Sequence, residues 1–381
     1  MKKLNKVLAG VAAVALAAAA GGVSAETKIG MISTLSGGGA GLGIDVRDGF
    51  LLAIEQSGRD DIEVIVEDDQ RKPDVAVRLA DRMMQSDNVD IMTGLIFSNL
   101  AMAVVPSVTA QGTFYLSPNA GPSALAGERC HENYFNVAWQ NDNVHEAAGA
   151  YATSIGYQST FVMAPNYPAG IDAINGFKRM FEGEPANEVL TKLGQTDYAS
   201  EIAQIRASDA DSVFFFLPGG MGISFLKQYA DSGVEIPLVG PAFSFDQTIL
   251  AAVGKAALGV PNTAQWSPDL DNAANVAFVE SFQEAYGRLP SMYASQGFDT
   301  AQLILSALEV APVSDAEAFR EALRAANFES TRGDFKFNTN HHPIQDYYVR
   351  EVVEVDGVLT NKVLEASLSE HSDAYAADCK M

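Results

Sequence analysis

The sequence predicts an α/β protein of two lobes, each a mainly parallel sheet with helices on both faces. Short runs of β-branched and aromatic residues alternate with helical stretches along the chain, which is the pattern of covered parallel sheets. The alternation ends near Trp139 and starts again near Asn143. At ~100–200 residues per domain, the 381 residues also suffice for two domains.

The first array is predicted to hold four strands separated by helices. The strands are Lys28–Thr34, Ile62–Glu67, Ile91–Ile96 and Thr113–Ser117. The helices cover about Asp45–Gln56 and Pro73–Gln85, and a third begins at Ser98. Pro73 supports the second helix, because proline fits a first turn, where its missing N–H would have no partner. The glycine-rich run Ser36–Gly43 is expected to be a flexible loop.

The second array has the same pattern, followed by a helical stretch and a tail. Its predicted strands are Ser159–Ala164, Glu188–Leu193, Ser212–Leu217 and Pro237–Gly240. Its helices are at about Ala169–Phe181, Ala199–Ala207 and Gly222–Ser232, and further helices are at about Ala273–Tyr286, Ser295–Leu308 and Asp315–Ala325. The tail, Gly333–Phe337 and Asp346–Leu364, alternates like antiparallel strands around the turn Asp356-Gly357.

The first 25 residues are predicted to be a secretory signal peptide. A head with three lysines precedes the apolar run Val7–Ala20, and Val23–Ala25 fits a small-x-small cleavage site. The apolar run is shorter than the ~20 residues of a membrane-spanning helix. No cysteine follows it, so we expect cleavage after Ala25 without lipid attachment.

Composition excludes several classes of function. The chain has 48 acidic and 25 basic residues and a formal charge of −23, which argues against nucleic-acid and anionic-membrane partners. The two cysteines, Cys130 and Cys379, both lie in the exported part. An oxidising compartment favours a disulfide between them. Neither belongs to a C-x-x-C motif, which argues against redox chemistry.

Several runs begin like enzyme or metal motifs and then fail on spacing. Ser36–Gly43 contains neither G-x-G-x-x-G nor a P-loop, and Gly222–Phe225 lacks the last glycine of a nucleophile elbow. His145–Gly149 has glycine where H-E-x-x-H requires its second histidine. The pair His341-His342 and the run Asp269–Asp271 have no further ligands nearby. We expect the residues of these last three runs to be solvated, with no metal, cofactor or catalytic role.

One loop has the composition of an anion-binding backbone. Ligands of α/β sheets bind beyond the carboxyl ends of strands, and there the strand Thr113–Ser117 continues into SPNAGPSAL. Pro122 suits the first turn of a short helix, and Ser98 can cap the helix that carries Asn99. Free N–H groups at such helix starts favour a negative charge, and Gly121 lets the backbone come close. An ordinary turn is the alternative.

Aromatic residues on loops and crossovers predict the rest of the cleft. They are Trp139, Tyr167, Phe243, Phe245, Trp266 and Tyr293, the last on a helix that also carries Gln296 and Asp299. Aromatic residues are usually core residues, but several on loops are typical of a cleft that holds a flat or apolar body.

The motifs resemble those of one family. They are KIGMISTLSG from Lys28, TGLIFSN from Thr93, YLSPNAGPSAL from Tyr115, APNYPAGIDAINGFKR from Ala164 and LPSMYASQGFDTAQLI from Leu289. The chain resembles the periplasmic substrate-binding proteins of ABC importers, in the type I, Leu/Ile/Val-binding-like family of branched-chain amino-acid binders. The resemblance covers the whole exported chain.

The resemblance implies two Rossmann-like lobes joined by three crossovers, with ligand closed between them and no catalysis. The lobes would be residues 26–140 plus 268–330 and residues 141–267 plus 331–381, with hinges near Gln140, Ser267 and Ser330. It also implies a periplasmic monomer without cofactor, whose partners are a small-molecule carboxylate and a membrane permease.

Two departures from the family pattern point to the ligand. Gly121 stands where the amino-acid binders carry a threonine, and Ala242 stands after Gly240-Pro241, where they carry a glutamate for the ligand's ammonium. A buried ammonium without a carboxylate would cost several kcal/mol. SPNAGPSAL, LPGGMGISF and GPAFSFDQ are similar to the branch that binds aromatic acids.

The resulting hypothesis is capture of an aromatic carboxylate for import. Ser98, Asn119 and Gly121 would bind its charged end, and Tyr167 and Phe243 would close on its ring. The full predicted site is Ser98, Asn99, Asn119, Ala120, Gly121, Trp139, Tyr167, Phe243, Tyr293 and Gln296. The alternatives are a branched-chain or neutral amino-acid binder, a ligand-sensing receptor module of the same fold and, third, an enzyme.

Overall fold

In the computed structural model, which describes residues 27–381, the first lobe is built on a five-stranded parallel sheet. Its order is β2-β1-β3-β4-β5. The strands are β1 (Thr27–Ser33), β2 (Ile62–Asp68), β3 (Ile91–Thr93), β4 (Phe114–Ser117) and β5 (Tyr134–Asn136). Central β1 is almost wholly buried because helices cover both faces of the sheet.

Seven helices accompany this sheet. They are α1 (Ala40–Ser57), α2 (Pro73–Arg82), α3 (Ser98–Ala110), α4 (Ser123–Ala126), α10 (Ala273–Tyr286), α11 (Met292–Val310) and α12 (Ala316–Ala325). Helices α1 and α11 approach so closely that a Cβ on Gly297 would lie 2.0 Å from the carbonyl oxygen of Val46. This pair places Leu42 and Tyr293 at the edge of the lobe that faces its partner.

The second lobe is built on a mixed sheet. Its order is β11-β12-β10-β9-β8-β6-β7, and β13 pairs with β12. The strands are β6 (Ser159–Pro165), β7 (Glu184–Thr191), β8 (Ser212–Phe215), β9 (Leu238–Pro241), β10 (Pro261–Ala264), β11 (Lys336–Phe337), β12 (Pro343–Val355) and β13 (Val358–His371). Strands β6 to β10 are parallel, and β11 to β13 join antiparallel. The helices are α5 (Asn141–Ser154), α6 (Pro168–Met180), α7 (Ala199–Ala207), α8 (Gly220–Ser232) and α9 (Gln247–Val253).

The predicted fold class is confirmed, and the local differences have physical causes. The glycine-rich run is not wholly a loop, because Ala40–Gly43 forms the first turn of α1. Tertiary packing overrides low helix propensity there, since Leu42 is buried. The sequence reading also missed β5 and helix α5, which follows the first crossover directly. The exact lobe boundaries stay a prediction.

Two buried arginines donate hydrogen bonds to the crossovers between the lobes. The guanidinium of Arg332 donates to the carbonyl oxygen of Ala138 at 3.0 Å and to Asp299 Oδ2 at 3.0 Å. The guanidinium of Arg350 donates to the carbonyl oxygen of Trp266 at 2.7 Å. Both side chains therefore satisfy buried backbone groups of the crossovers, and Gln345 Nε2 also donates to the Ala138 oxygen, at 2.7 Å.

The predicted disulfide joins Cys130, between α4 and β5, to Cys379 near the end of the chain, with the Cα atoms 5.6 Å apart. It closes a loop of sequence separation 249 and returns the tail to the first lobe. No helix among residues 27–381 is long and apolar enough to cross a membrane. The predicted signal peptide lies outside the described residues.

Removing the disulfide is expected to destabilise the protein. The double variant Cys130→Ser/Cys379→Ser should lose about 2–4 kcal/mol of unfolding free energy, because its unfolded chain is no longer restrained. Urea denaturation, followed by circular dichroism, measures the change. Wild-type protein unfolded under reducing conditions should match the variant, and equal midpoints for oxidised wild type and variant would contradict the expectation.

Candidate ligand-binding site

A small cavity of about 20 Å³ lies between the two lobes, beyond the carboxyl ends of strands from both sheets. The first lobe contributes Leu42, Ile96, Phe97, Ser98, Asn119, Ala120 and Tyr293, and the second contributes Tyr167, Ala169, Phe216, Pro218 and Phe243. The first crossover and helix α5 add Trp139, Asn141 and His145. A ligand held here would contact both lobes.

Seven of the ten predicted site residues line this cavity. They are Ser98, Asn119, Ala120, Trp139, Tyr167, Phe243 and Tyr293. Asn99, Gly121 and Gln296 do not line it. Asn99 follows Ser98 by one residue and therefore leaves α3 in another direction, about 100° away. Gln296 is fully buried within the first lobe on α11.

Gly121 has a structural reason for its small size. A Cβ at this position would lie 2.1 Å from the carbonyl oxygen of Trp139, so glycine lets the loop pass against the first crossover. Its N–H donates to Asn141 Oδ1 at 3.1 Å. Gly121 thus belongs to the support behind the cavity wall.

The predicted anion cradle at the start of α4 is occupied by the protein itself. Asp172, on α6 of the second lobe, accepts hydrogen bonds from the Ser123 N–H at 3.1 Å and from the Ser123 hydroxyl at 2.7 Å. Burial raises the pKa of the Asp172 carboxyl, and the Ser123 and Asn141 donors oppose that rise. This helix start therefore holds the lobes together and has no N–H left over for a ligand from that serine.

A second carboxylate, at the N-cap of α9, also joins the two lobes. Asp246 Oδ1 accepts from the backbone N–H of Met292, the first residue of α11, at 3.1 Å. Its other oxygen lies 3.6 Å from a guanidinium nitrogen of Arg350. With Asp172, it holds the lobes in a closed arrangement from two sides.

The Asp246 carboxyl should make stability depend on pH. Burial raises its pKa from 3.8 to about 6, opposed by the charge of Arg350, and Asp45 faces it from the first lobe. The folded protein therefore binds this proton more tightly than the unfolded chain, and stability falls as pH rises from about 4 to about 6. In Asp246→Asn, which keeps an acceptor for Met292, that fall should be smaller by about 2–3 kcal/mol. Urea denaturation at several pH values tests this, and parallel curves for both proteins would refute it.

The polar part of the cavity offers donors. The Ser98 oxygen accepts from Asn141 Nδ2 at 3.1 Å, which leaves the serine proton for another acceptor. The N-cap of α3, Phe97, makes no capping side-chain bond, so no cap uses the N–H groups of Ser98 and Asn99. The Tyr293 hydroxyl is buried without a partner, and burial raises the pKa of that phenol well above 10. These groups suit a carboxylate without a formal counter-charge.

The apolar part is a cluster of rings. Phe243 meets the Trp139 and Phe216 rings edge-on, with ring centroids 5.0 Å apart in both pairs. Tyr167 lies nearly parallel to Phe216 at 6.3 Å and tilted to Phe97 at 6.5 Å. Such walls favour a flat ligand, because aromatic pairs gain about 0.5–1.5 kcal/mol beyond their buried area.

His145 contradicts the expectation that it is solvated. It lies on α5 among Phe214, Phe216 and Phe243, and only 1% of its surface is exposed. Burial lowers its pKa to about 3, so the ring is neutral at physiological pH. His341 and His342 are buried too, and Asp269 is exposed as expected. Residues 27–381 contain no group of three or more histidine, cysteine, aspartate or glutamate side chains that could hold a metal ion.

Sequence reasoning also missed Asn141, Phe216 and Arg71. Asn141 and His145 lie in the first turns of α5, just after the hinge that the sequence places near Gln140. Arg71 follows β2, and its guanidinium lies 5.7 Å from the centre of the Phe97 ring. A check of every strand's carboxyl end would have found this residue. Arg71 places a positive charge close to the cavity wall, although it does not line the cavity.

Comparison with known proteins identifies the family. The model of the periplasmic binding protein family matches residues 26–357. The chain belongs to this family. Among curated relatives of this periplasmic binding protein, a Leu/Ile/Val-binding protein homolog from Brucella melitensis is 28% identical over 385 residues, covering 96% of this chain and 97% of the relative.

Solved structures give the same fold, and two of them hold an aromatic carboxylate. A solute-binding protein of an ABC transporter from R. palustris, in complex with benzoate, has a TM-score of 0.88 and 31% identity, covering 93% of this chain and 99% of the other. One from Rhodopseudomonas palustris BisB5, in complex with 3,4-dihydroxybenzoic acid, has a TM-score of 0.84 and 28% identity, covering 91% and 98%. A leucine-binding protein from Thermotoga maritima has a TM-score of 0.80 at 20% identity, covering 89% and 99%, and shows the fold alone.

Proposed function

We propose that this periplasmic binding protein captures a small aromatic carboxylate between its lobes and delivers it to the membrane permease of an ABC importer. One observation carries the choice of ligand: none of the described cavity-lining residues is an aspartate or glutamate. An amino-acid ammonium would therefore be buried without a carboxylate, at a cost of several kcal/mol. A carboxylate without an ammonium avoids that cost.

The arrangement of donors and rings supports the proposal. Ser98, the first two N–H groups of α3 and Tyr293 would hold the carboxylate, while Tyr167 and Phe243 would hold the ring. Oδ1 of Asn119 is buried without a partner and suits a hydroxyl substituent on the ligand. The relatives that bind benzoate and 3,4-dihydroxybenzoic acid support the same ligand class.

Thermal unfolding against a ligand panel tests the proposal. The panel holds benzoate, hydroxybenzoates, cinnamates, phenylacetate, leucine, valine and glutamate. A ligand at ~100 times its dissociation constant adds about 2.7 kcal/mol of stability, enough for a clear shift in melting temperature. We expect a shift with aromatic acids alone, and a shift with leucine or valine instead would overturn the ligand assignment.

Delivery to a permease requires a separate experiment. Cells that lack this protein should take up the labelled aromatic acid more slowly than cells that contain it, at ligand concentrations near the dissociation constant. Equal uptake by both would contradict the transport role while leaving the binding role intact.

A further inference from the structure

Asn141 is a buried hydrogen-bonding hub beside the cavity. Its Oδ1 accepts from the N–H of Gly121 at 3.1 Å, and its Nδ2 donates to the Ser98 oxygen at 3.1 Å and to Asp172 Oδ2 at 2.9 Å. Only 4% of the residue is exposed. All three partners thus belong to the wall of the cavity or to the contact between the lobes.

These partners fix the direction of the Asn141 amide. The Gly121 N–H can only donate, and the Asp172 carboxylate can only accept when ionised. If the amide were rotated by 180°, its NH2 group would face the Gly121 N–H and its oxygen would face the Asp172 carboxylate. The side chain therefore presents a donor to Ser98, and this keeps the serine proton from pointing back at Asn141.

Closure of the lobes brings the oriented amide to Ser98. Asp172 lies on α6 of the second lobe, and Asn141 begins α5 of the same lobe, which packs against α6. Ser98, at the start of α3, and Gly121 belong to the first lobe. When the lobes separate, Asp172 therefore stays with the amide, while Ser98, Gly121 and the Ser123 donors to Asp172 move away.

We propose that Asn141 and Asp172 are positioning residues, which turn the Ser98 hydroxyl toward a bound carboxylate when the lobes close. The inference rests on the proposed function only in taking the ligand to be a carboxylate. A relay of hydrogen bonds runs from Asp172 through Asn141 and Ser98 to the ligand. It couples recognition of the ligand's charge to closure of the lobes, and neither positioning residue needs to touch the ligand for this effect.

Isothermal titration calorimetry with benzoate and with its neutral analogue benzamide tests the proposal. In Asn141→Asp the new carboxylate accepts the serine proton and repels an anion, so benzoate affinity should fall at least 100-fold and the benzoate-to-benzamide affinity ratio at least tenfold. Asp172→Asn replaces the charged acceptor of the Asn141 amide with a neutral and weaker one, and it should weaken benzoate binding about tenfold. The control Asn187→Asp makes the same charge change on an exposed residue and should bind like wild type.

Two further measurements separate a positioning role from damage to the fold. The ligand-free variants should melt within a few degrees of wild type, and solution scattering with saturating ligand should show Asp172→Asn to be less closed than wild type. The proposal is overturned if both variants bind benzoate within threefold of wild type, or if they lose benzoate and benzamide equally. If wild type binds leucine and no aromatic acid, the proposed ligand fails and the relay is tested with leucine and leucinol by the same criterion.

Discussion

Replacing Gly297 with alanine is expected to lower the free energy of unfolding by about 2–3 kcal/mol, as in an overpacked core. The new Cβ would lie 2.0 Å from the carbonyl oxygen of Val46, a backbone atom that cannot move without moving α1. A Cβ on Gly49 of α1 would likewise lie 1.9 Å from the carbonyl oxygen of Ala294 on α11. A side chain would therefore clash on either helix of the pair. The clash outweighs the ~1 kcal/mol that alanine gains over glycine in a helix.

Chemical denaturation by urea measures this loss, and Gly38→Ala is the matched control. A Cβ on Gly38 meets nothing within 4 Å, so its unfolding free energy should change by no more than ~0.5 kcal/mol. The helix pair also carries Leu42 and Tyr293, and ligand affinity should therefore fall in Gly297→Ala as well. Equal stability of the two alanine variants would show that α1 and α11 can separate without cost.

Truncating Phe243 to alanine is expected to weaken binding of the aromatic ligand by about 2–3 kcal/mol, which is roughly 30-fold to 150-fold. The ring contacts Trp139, Phe216 and His145 and lines the cavity from the second lobe. Loss of the ring removes apolar contact area with the ligand and leaves a gap in the second-lobe wall of the cavity.

Calorimetric titration of the variant with the acid found in the ligand panel gives this number. Phe328→Ala is the control. Phe328, in the first lobe, packs on Phe335 and does not line the cavity. We expect its dissociation constant to match that of wild type. A Phe243→Ala protein that binds as tightly as wild type would remove the ring cluster from the recognition site.

Prediction from the sequence succeeded where local pattern and chain order determine the outcome. Runs such as Ser212–Leu217 have too many β-branched and aromatic residues for a surface loop, and they form the buried parallel strands. The ends of those strands then locate Ser98, Asn119, Tyr167 and Phe243, since ligands of α/β sheets bind there. The pairing of Cys130 with Cys379 followed from the number of cysteines alone.

Prediction failed where function depends on contacts between distant segments. Gly121 and the start of α4 resemble an anion site in sequence, but Asp172 and Asn141 from elsewhere in the chain use those N–H groups. His145 looked like a solvated remnant of a metal motif and is in fact packed among phenylalanines. No local signal distinguishes these outcomes, because burial is decided by which surfaces meet.

The sequence by itself determined the fold class, the disulfide, the family and the edge of each sheet that binds ligand, because these follow from periodicity, composition and motifs within single segments. Tertiary structure alone decided which polar groups stay available. Closure brings Asp172 to Ser123, and Asp246 to Met292, so those donors are satisfied by protein. Ser98 and Tyr293 keep donors available, and we propose that these bind the ligand, since a buried donor counts for recognition only when no other residue reaches it.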